Sequence, residues 1–335
     1  MGVAIEPSCR LYAILARDGR SAVVFRRGPS KQVLVLRWWL DGDRIEPGQW
    51  FNGRIYERRC DLSPDGELLI YFAANWKAPY QSWTAVSRAP YLTALALWPK
   101  GDAWGGGGFF LSPRTIGLNL LAISAPIYPS ARRVQGQAAE DLGWHPLDSE
   151  PPRKRKPAEQ KPAPQVMPIA AGYSVCRWHD LAAGRGEDNP IHHERMSRSG
   201  WTSVAEGEAG PYSSGSIAWD FRSPQIDERP EPSGNLRLRR ILNAIGKRDG
   251  RWYVEDHAIC DAQGDTLRLI PACSWADWHI NGDLLFAVSG SLFRLPSRFC
   301  GAATADPLQN AKLVADLAPL RFSNVAAPAT ALTWP

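Results

Sequence analysis

The sequence predicts an all-β chain assembled from repeated turn-and-strand units, and three observations carry that prediction. Ser63-Pro64-Asp65-Gly66 is a tight-turn sequence followed at once by an apolar run, Leu68 to Ala73, at strand length. A second unit, Ala276 to Leu295, matches it: an Asp five residues before the turn glycine, an acidic residue after it, then Leu-Leu. The 15 Trp, 29 Gly and 28 Pro suit half-buried sheet surfaces joined by many turns.

Taken in order, Arg10 to Arg17 reads as a strand, Asp18-Gly19 as a hairpin turn and Ala22 to Arg26 as its return. Gln32 to Leu40 is a third strand. Trp38 and Trp39 must then face opposite ways. Arg44 to Glu46 and Gln49 to Phe51 read as two short strands broken by Pro47-Gly48. After the Ser-Pro-Asp-Gly turn come Leu68 to Ala73, Trp83 to Ser87, Leu92 to Trp98 and Gly108 to Ser112. Thr115 to Ser124 is apolar and fits either a buried strand or a short helix.

Residues 149–168 change character, with six prolines and five basic residues against two acidic ones. Such a segment cannot bury enough surface to offset its ordering entropy, so it reads as a disordered insertion. It holds three of the five net positive charges, which leaves no broad basic face for nucleic acid. Nucleic-acid contact is expected only weakly, through Arg153, Lys154, Arg155 and Lys156.

Beyond the insertion, Ala170 to Arg177 and Trp201 to Ala205 are strand candidates, and Gly186 to Gly200 reads as loop. Gly215 to Phe221 follows. Leu236 to Leu242 alternates for four residues and fits a strand or a helix. Asp249-Gly250 and Gln263-Gly264 are turns before Trp252 to Asp256 and Leu267 to Ile270.

The two matched units resemble the repeats of β-propellers of the TolB-like or WD40-like kind, whose blades carry a Ser-Pro-Asp-Gly turn before an inner strand. The resemblance covers residues 60–73 and 276–295, with Arg17 to Phe25 a looser third copy. It implies one β-propeller domain over residues 1–335, with 149–168 as an insertion within it. About twenty strand candidates make about five or six four-stranded blades. The rival arrangement is two β-domains joined at 149–168. Gly66 and Gly282 should both have φ > 0, so that Val at either costs about 1–3 kcal/mol, and Val at Gly106 much less if that run is a mobile loop.

No phosphate-binding loop, nucleophile elbow or His-Glu-x-x-His motif occurs. The ligand-binding candidates are Trp104, Gly105, Gly106 and Gly107, where the backbone could approach a ligand, and His192, His193 and Glu194. The alternative for the glycine run is a hairpin end or close strand packing. For the histidines it is a polar surface loop, since a zinc site needs a third convergent ligand. No cofactor or metal is expected. Six cysteines without a paired spacing read as free buried thiols, and Met1 to Glu6 does not read as a signal peptide. A cytoplasmic protein with no membrane contact is the expectation. The expected function is non-catalytic: rim loops binding a protein or a small ligand. The alternative is a hydrolase or lyase with polar side chains converging in the central channel.

Overall fold

The computed structural model describes residues 9–28, 31–103, 105–119, 169–179, 190–209, 219–246, 252–304, 306 and 308–335. The segment 149–168, Trp104, Gly215 to Ala218 and the Asp249-Gly250 turn lie outside them.

The turn read from the sequence is a recurring piece of backbone. The Gly66 N–H donates to the Ser63 carbonyl at 2.9 Å and that of Gly282 to His279 at 3.0 Å. The same bond joins Gly19 to Ala16, Gly234 to Glu231 and Gly264 to Asp261, at 3.1, 2.8 and 3.2 Å. All five glycines have φ between 71° and 96°, where a side chain is strained. In three of them the preceding Asp18, Asp65 or Asn281 also accepts the N–H two residues on, at 2.9–3.0 Å. Among the described residues the turn therefore joins five pairs of strands, beyond the two matched units and the looser copy at Arg17 to Phe25 read from the sequence.

These turns join strands that pair in five sheets. Sheet 1 holds β1 (Arg10–Leu15), β2 (Ser21–Arg27), β3 (Gln32–Trp39) and β4 (Arg44–Asn52). Sheet 2 holds β5 (Arg54–Ile55), β6 (Asp61–Leu62), β7 (Leu68–Ala74), β8 (Ser82–Arg88) and β9 (Ala94–Pro99), with a 3-10 turn at Glu57–Arg59. Sheet 3 holds β10 (Gly108–Ser112), β11 (Thr115–Asn119) and β12 (Ser174–His179). Helix α1 (Pro190–Arg198) precedes sheet 4. That sheet holds β13 (Thr202–Ala205), β14 (Glu208–Ala209), β15 (Trp219–Pro230), β16 (Leu236–Ile245), β17 (Tyr253–Asp261) and β18 (Thr266–Ile270). Sheet 5 holds β19 (Cys273–Trp278), β20 (Leu284–Val288), β21 (Ser291–Leu295) and β22 (Lys312–Asp316). β12 runs parallel to β11, and every other described pairing is antiparallel.

Each sheet draws on its own stretch of sequence, and the apolar clusters lie between neighbouring sheets. Phe25, Val35, Leu69 and Tyr71 join sheets 1 and 2. Ile70, Val86, Phe110 and Ile116 join sheets 2 and 3. Leu238, Ile259, Trp278 and Phe286 join sheets 4 and 5. Leu11, Trp38, Trp275 and Leu285 bring sheet 5 against sheet 1. β7 is buried at all seven positions, so both its faces are covered.

Buried arginines add a second kind of link. Arg37 donates to the carbonyls of Gly66 and Ala89, and Arg59 to those of Ala103 and Gly105 at 2.7 and 2.6 Å. Arg26 reaches the carbonyls of Leu317 and Ala318, at 3.0 and 2.8 Å. Arg294 reaches Leu40 at 2.8 Å and pairs with Asp43 at 2.7 Å.

The structure corrects some expectations and decides others. Arg44 to Phe51 is one strand, because β4 lies at a sheet edge where Pro47 owes no ladder bond and a register shift absorbs it. Gly186 to Gly200 is not all loop, since α1 fills residues 190–198 with Pro190 at its first position. Leu236 to Leu242 is strand. Trp38 is fully buried, whereas Trp39 faces out between the Arg37 and Arg44 guanidiniums, 4.8 and 5.1 Å from its ring centroid. All six cysteines are free, but Cys176 is exposed.

Candidate functional site

Sheet 4 departs from the apolar pattern on one face. Asp227, Arg240 and His257 occupy directly paired positions on β15, β16 and β17, so their side chains share that face. Glu255, two residues before His257, joins them. Charged or polar groups in a buried row need partners: Asp227, Arg240 and Glu255 find them in one another, in Arg58 and in α1, whereas the His257 Nδ1 has none among the described residues.

Arg240 donates twice to Asp227, at 2.6 and 3.1 Å, and once to Glu255 at 3.2 Å. Arg58, from the 3-10 turn of sheet 2, donates to the same Glu255 oxygen and lies over the Tyr253 ring, 3.4 Å from its centroid. His192 of α1 sits between the two guanidiniums, its Nε2 at 3.0 Å from Arg240 and 3.3 Å from Arg58. Guanidinium groups only donate, so Nε2 accepts and the ring is neutral. Burial, then Arg58 and Arg240, hold the His192 pKa well below the ordinary histidine value. Burial pushes His257 down to about 4, reinforced by Arg240 and Arg58 against the opposing Glu255. Burial works against the charge of Glu255, but Arg58 and Arg240 outweigh it and hold the carboxyl below its ordinary value.

The rest of α1 touches sheets 1, 2 and 3. Arg195 donates to the Tyr12 hydroxyl and to the carbonyls of Glu57 and Cys60. Arg198 holds Asp61 through two bonds of 2.8 and 2.9 Å and the Phe110 carbonyl at 3.1 Å. Met196 packs against the apolar cluster of sheets 4 and 5. His192, Arg195, Met196 and Ser199 line the same cavity at helical spacing.

That cavity, about 260 Å³, lies between α1, β1, β19 and the charged face of sheet 4. A smaller one of about 50 Å³ adjoins it, and both are lined by Tyr12, Arg58, Glu255 and Ser274. Along β1, β17 and β19 the residues of the small cavity precede those of the large one, overlapping at Tyr12, Glu255 and Ser274. The two thus adjoin along these strands, with Arg58 and Glu255 lining both.

Of the candidates from sequence, His192 lies in this site. His193 and Glu194 are exposed, because successive helical residues point about 100° apart. Among the described residues, no three His, Cys, Asp or Glu side chains are grouped to hold a metal. Gly105, Gly106 and Gly107 lie away from the cavity and are buried. A Cβ at Gly106 would lie 2.5 Å from the Phe72 ring, and one at Gly107 2.3 Å from the Arg59 carbonyl oxygen. The run serves close packing. Arg58, Arg195, Arg240, Glu255 and His257 were not singled out from sequence. The available signal was charge inside strands: Arg240 amid Ile241 and Leu242, and Glu255 and His257 alternating in β17.

No family model matches the chain, and no curated protein matches it. Solved structures with propeller-like folds do. Prolyl oligopeptidase B from Galerina marginata is 9% identical at a TM-score of 0.21, over 92% of this chain and 34% of that one. Dihydro-heme d1 dehydrogenase NirN in complex with DHE is 12% identical at 0.30, over 87% and 64%. A protein assigned as TolB from Agrobacterium tumefaciens is 11% identical at 0.24, over 91% and 80%. The chain spans about a third of the first and under two thirds of the second. At these scores the likeness carries no argument about activity. Among the described residues, no helix is long and apolar enough to cross a membrane.

Proposed function

We propose that this chain is a binding module of propeller type, its five sheets acting as five blades, and that the cavity beside α1 takes a small anion. The supporting observation is the charge of the lining. Arg17, Arg58, Arg195, Arg198, Arg229 and Arg240 line the cavity. The carboxylates paired with them are Asp61, Asp227, Glu255 and Asp277. Among the described residues two positive charges are left over, one on the buried Arg195, where Coulombic attraction is stronger than in water, and one on the exposed Arg17. The neutral His192 and His257 do not add to the excess.

Titration calorimetry of the full chain with small carboxylates and phosphate esters, beside neutral analogues of the same size, tests this. Anions should bind and the neutral analogues should not. A Tyr12→Trp variant, which narrows the cavity, should weaken binding. Equal binding of charged and neutral probes would remove the reading.

A hydrolase or lyase remains the second reading, favoured by the convergence of Tyr12, Glu255, His257 and Ser274 on one cavity. It requires turnover of a bound anion, detectable as product release, which the binding reading does not.

A further inference from the structure

The excess charge has an address. Arg198 gives both Nη1 bonds and one Nη2 bond to Asp61 and the Phe110 carbonyl, and its buried Nε has no partner among the described residues. Arg195 is occupied by Tyr12 and two carbonyls. Arg17 differs: its one hydrogen bond among the described residues is long, 3.5 Å, to the Phe110 carbonyl that Arg198 already takes more closely. No carboxylate pairs with it among the described residues, and it is exposed at the end of the cavity formed by Arg17, Gly19, His279 and Ile280.

Its backbone is firmly placed. Arg17 sits in the first of the repeated turns, Ala16 to Gly19. The Asp18 N–H of that turn donates to the Pro64 carbonyl of the second turn at 3.0 Å. The Gly19 carbonyl accepts from His279 Nε2 of the fifth-sheet turn at 2.9 Å. Three neighbouring turns thus fix where the Arg17 side chain starts, and Arg198 fixes the cation beside it. Both guanidinium groups reach the Phe110 carbonyl, and Asp61 is ion-paired with Arg198, not with Arg17, among the described residues.

Resting on the anion-binding reading above, we infer that Arg17 and Arg198 form the subsite for the charged group of the ligand, and that this group is a phosphate dianion. The Arg17 fork and the remaining Nη2 proton of Arg198 supply three donors, one more than a carboxylate has oxygens, whereas a phosphate monoester has three terminal oxygens and a charge near minus two at neutral pH. A dianion also cancels the two unmatched charges of the lining. The phosphate can be free or carried as a monoester on a small molecule.

Titration of the full-length protein with inorganic phosphate, glucose 6-phosphate and acetate tests the assignment. In the unaltered chain both phosphates should bind more tightly than acetate, and a tighter ester than free phosphate identifies a carried group. Arg17→Gln should weaken both phosphates about tenfold or more, the size of one charge-assisted contact, and change acetate little. Arg17→Lys should fall between, since it keeps the charge and loses the fork. Arg20→Gln is the control: the same turn, a side chain 84% exposed, and no part in the cavity. Arg17→Gln binding phosphate like the unaltered chain, or Arg20→Gln losing as much, overturns the subsite. If no anion binds the unaltered chain, the charge reading itself fails. If acetate binds as tightly as phosphate, the reading stands and the dianion assignment falls.

Discussion

Sheet 2 and sheet 4 use the same strand geometry for opposite ends. In sheet 2, β7 buries Leu68 to Ala74 without a charge among them. In sheet 4, β15 to β17 bury Asp227, Arg240, Glu255 and His257 in one row. An apolar strand gains from burial at every position. A charged row loses hydration and recovers it only through partners, so it is built for something other than stability. The difference separates what holds the fold from what forms its cavity.

The largest contrast should come from truncating each sheet's centre. Phe72→Ala should cost about 3–5 kcal/mol in denaturant unfolding and leave anion affinity of the folded protein unchanged. Glu255→Gln should cost about 3 kcal/mol, because Arg58 and Arg240 lose a buried counter-charge. Yet it should tighten anion binding, since the lining gains one net positive charge. Loss of both stability and affinity in Glu255→Gln would mean that the row is structural only.

The next effect is one of pH. The unfolded chain takes up a proton on His257 near 6.5, the folded chain only near 4. Stability is therefore complete above about pH 6.5 and falls between pH 6.5 and 4, by up to about 3 kcal/mol from this group. His192 acts in the same direction. Replacing His257 with Phe should flatten that slope in pH-dependent thermal unfolding, and an unchanged slope would locate the titration elsewhere.

Smaller effects are expected at the turn glycines, and their order differs from that read in the sequence. Gly66, Gly106 and Gly282 all have φ > 0, so Val at each costs about 1–3 kcal/mol in strain. At Gly106 the Phe72 ring, and at Gly66 the Ser21 hydroxyl, stand under 3 Å from a new Cβ. At Gly282 the nearest atom is a Glu231 carboxylate oxygen at 3.0 Å. Denaturant unfolding should therefore rank Gly282→Val as the mildest, with Gly106→Val no longer the cheap one.

Sheets 1 and 2 were legible because their signals are short-range: a turn residue set, then an apolar run within ten positions. The opposite facing of Trp38 and Trp39 followed from strand alternation alone. Helix α1 was not legible, because its inward face is His192 and Arg195 with only Ile191 and Met196 apolar, and Asn189-Pro190 reads as a break. The cavity was illegible for a further reason. Tyr12, Arg58, Arg195, Arg240 and Glu255 belong to five separate stretches, and no spacing between them encodes their meeting.

Three arginines, Arg26, Arg37 and Arg59, make their links through backbone carbonyls, at Gly66, Ala89, Ala103, Gly105, Leu317 and Ala318. A carbonyl is present whatever side chain stands there. Each link thus depends on one amino-acid identity, that of the arginine, while its receiving position is free to drift where backbone geometry allows. Mutational tolerance should be lopsided across every such contact: Arg26, Arg37 and Arg59 resistant even to Lys, and Ala89, Leu317 and Ala318 permissive. A record of pairwise covariation would miss these contacts, because one side of each leaves no trace in the sequence.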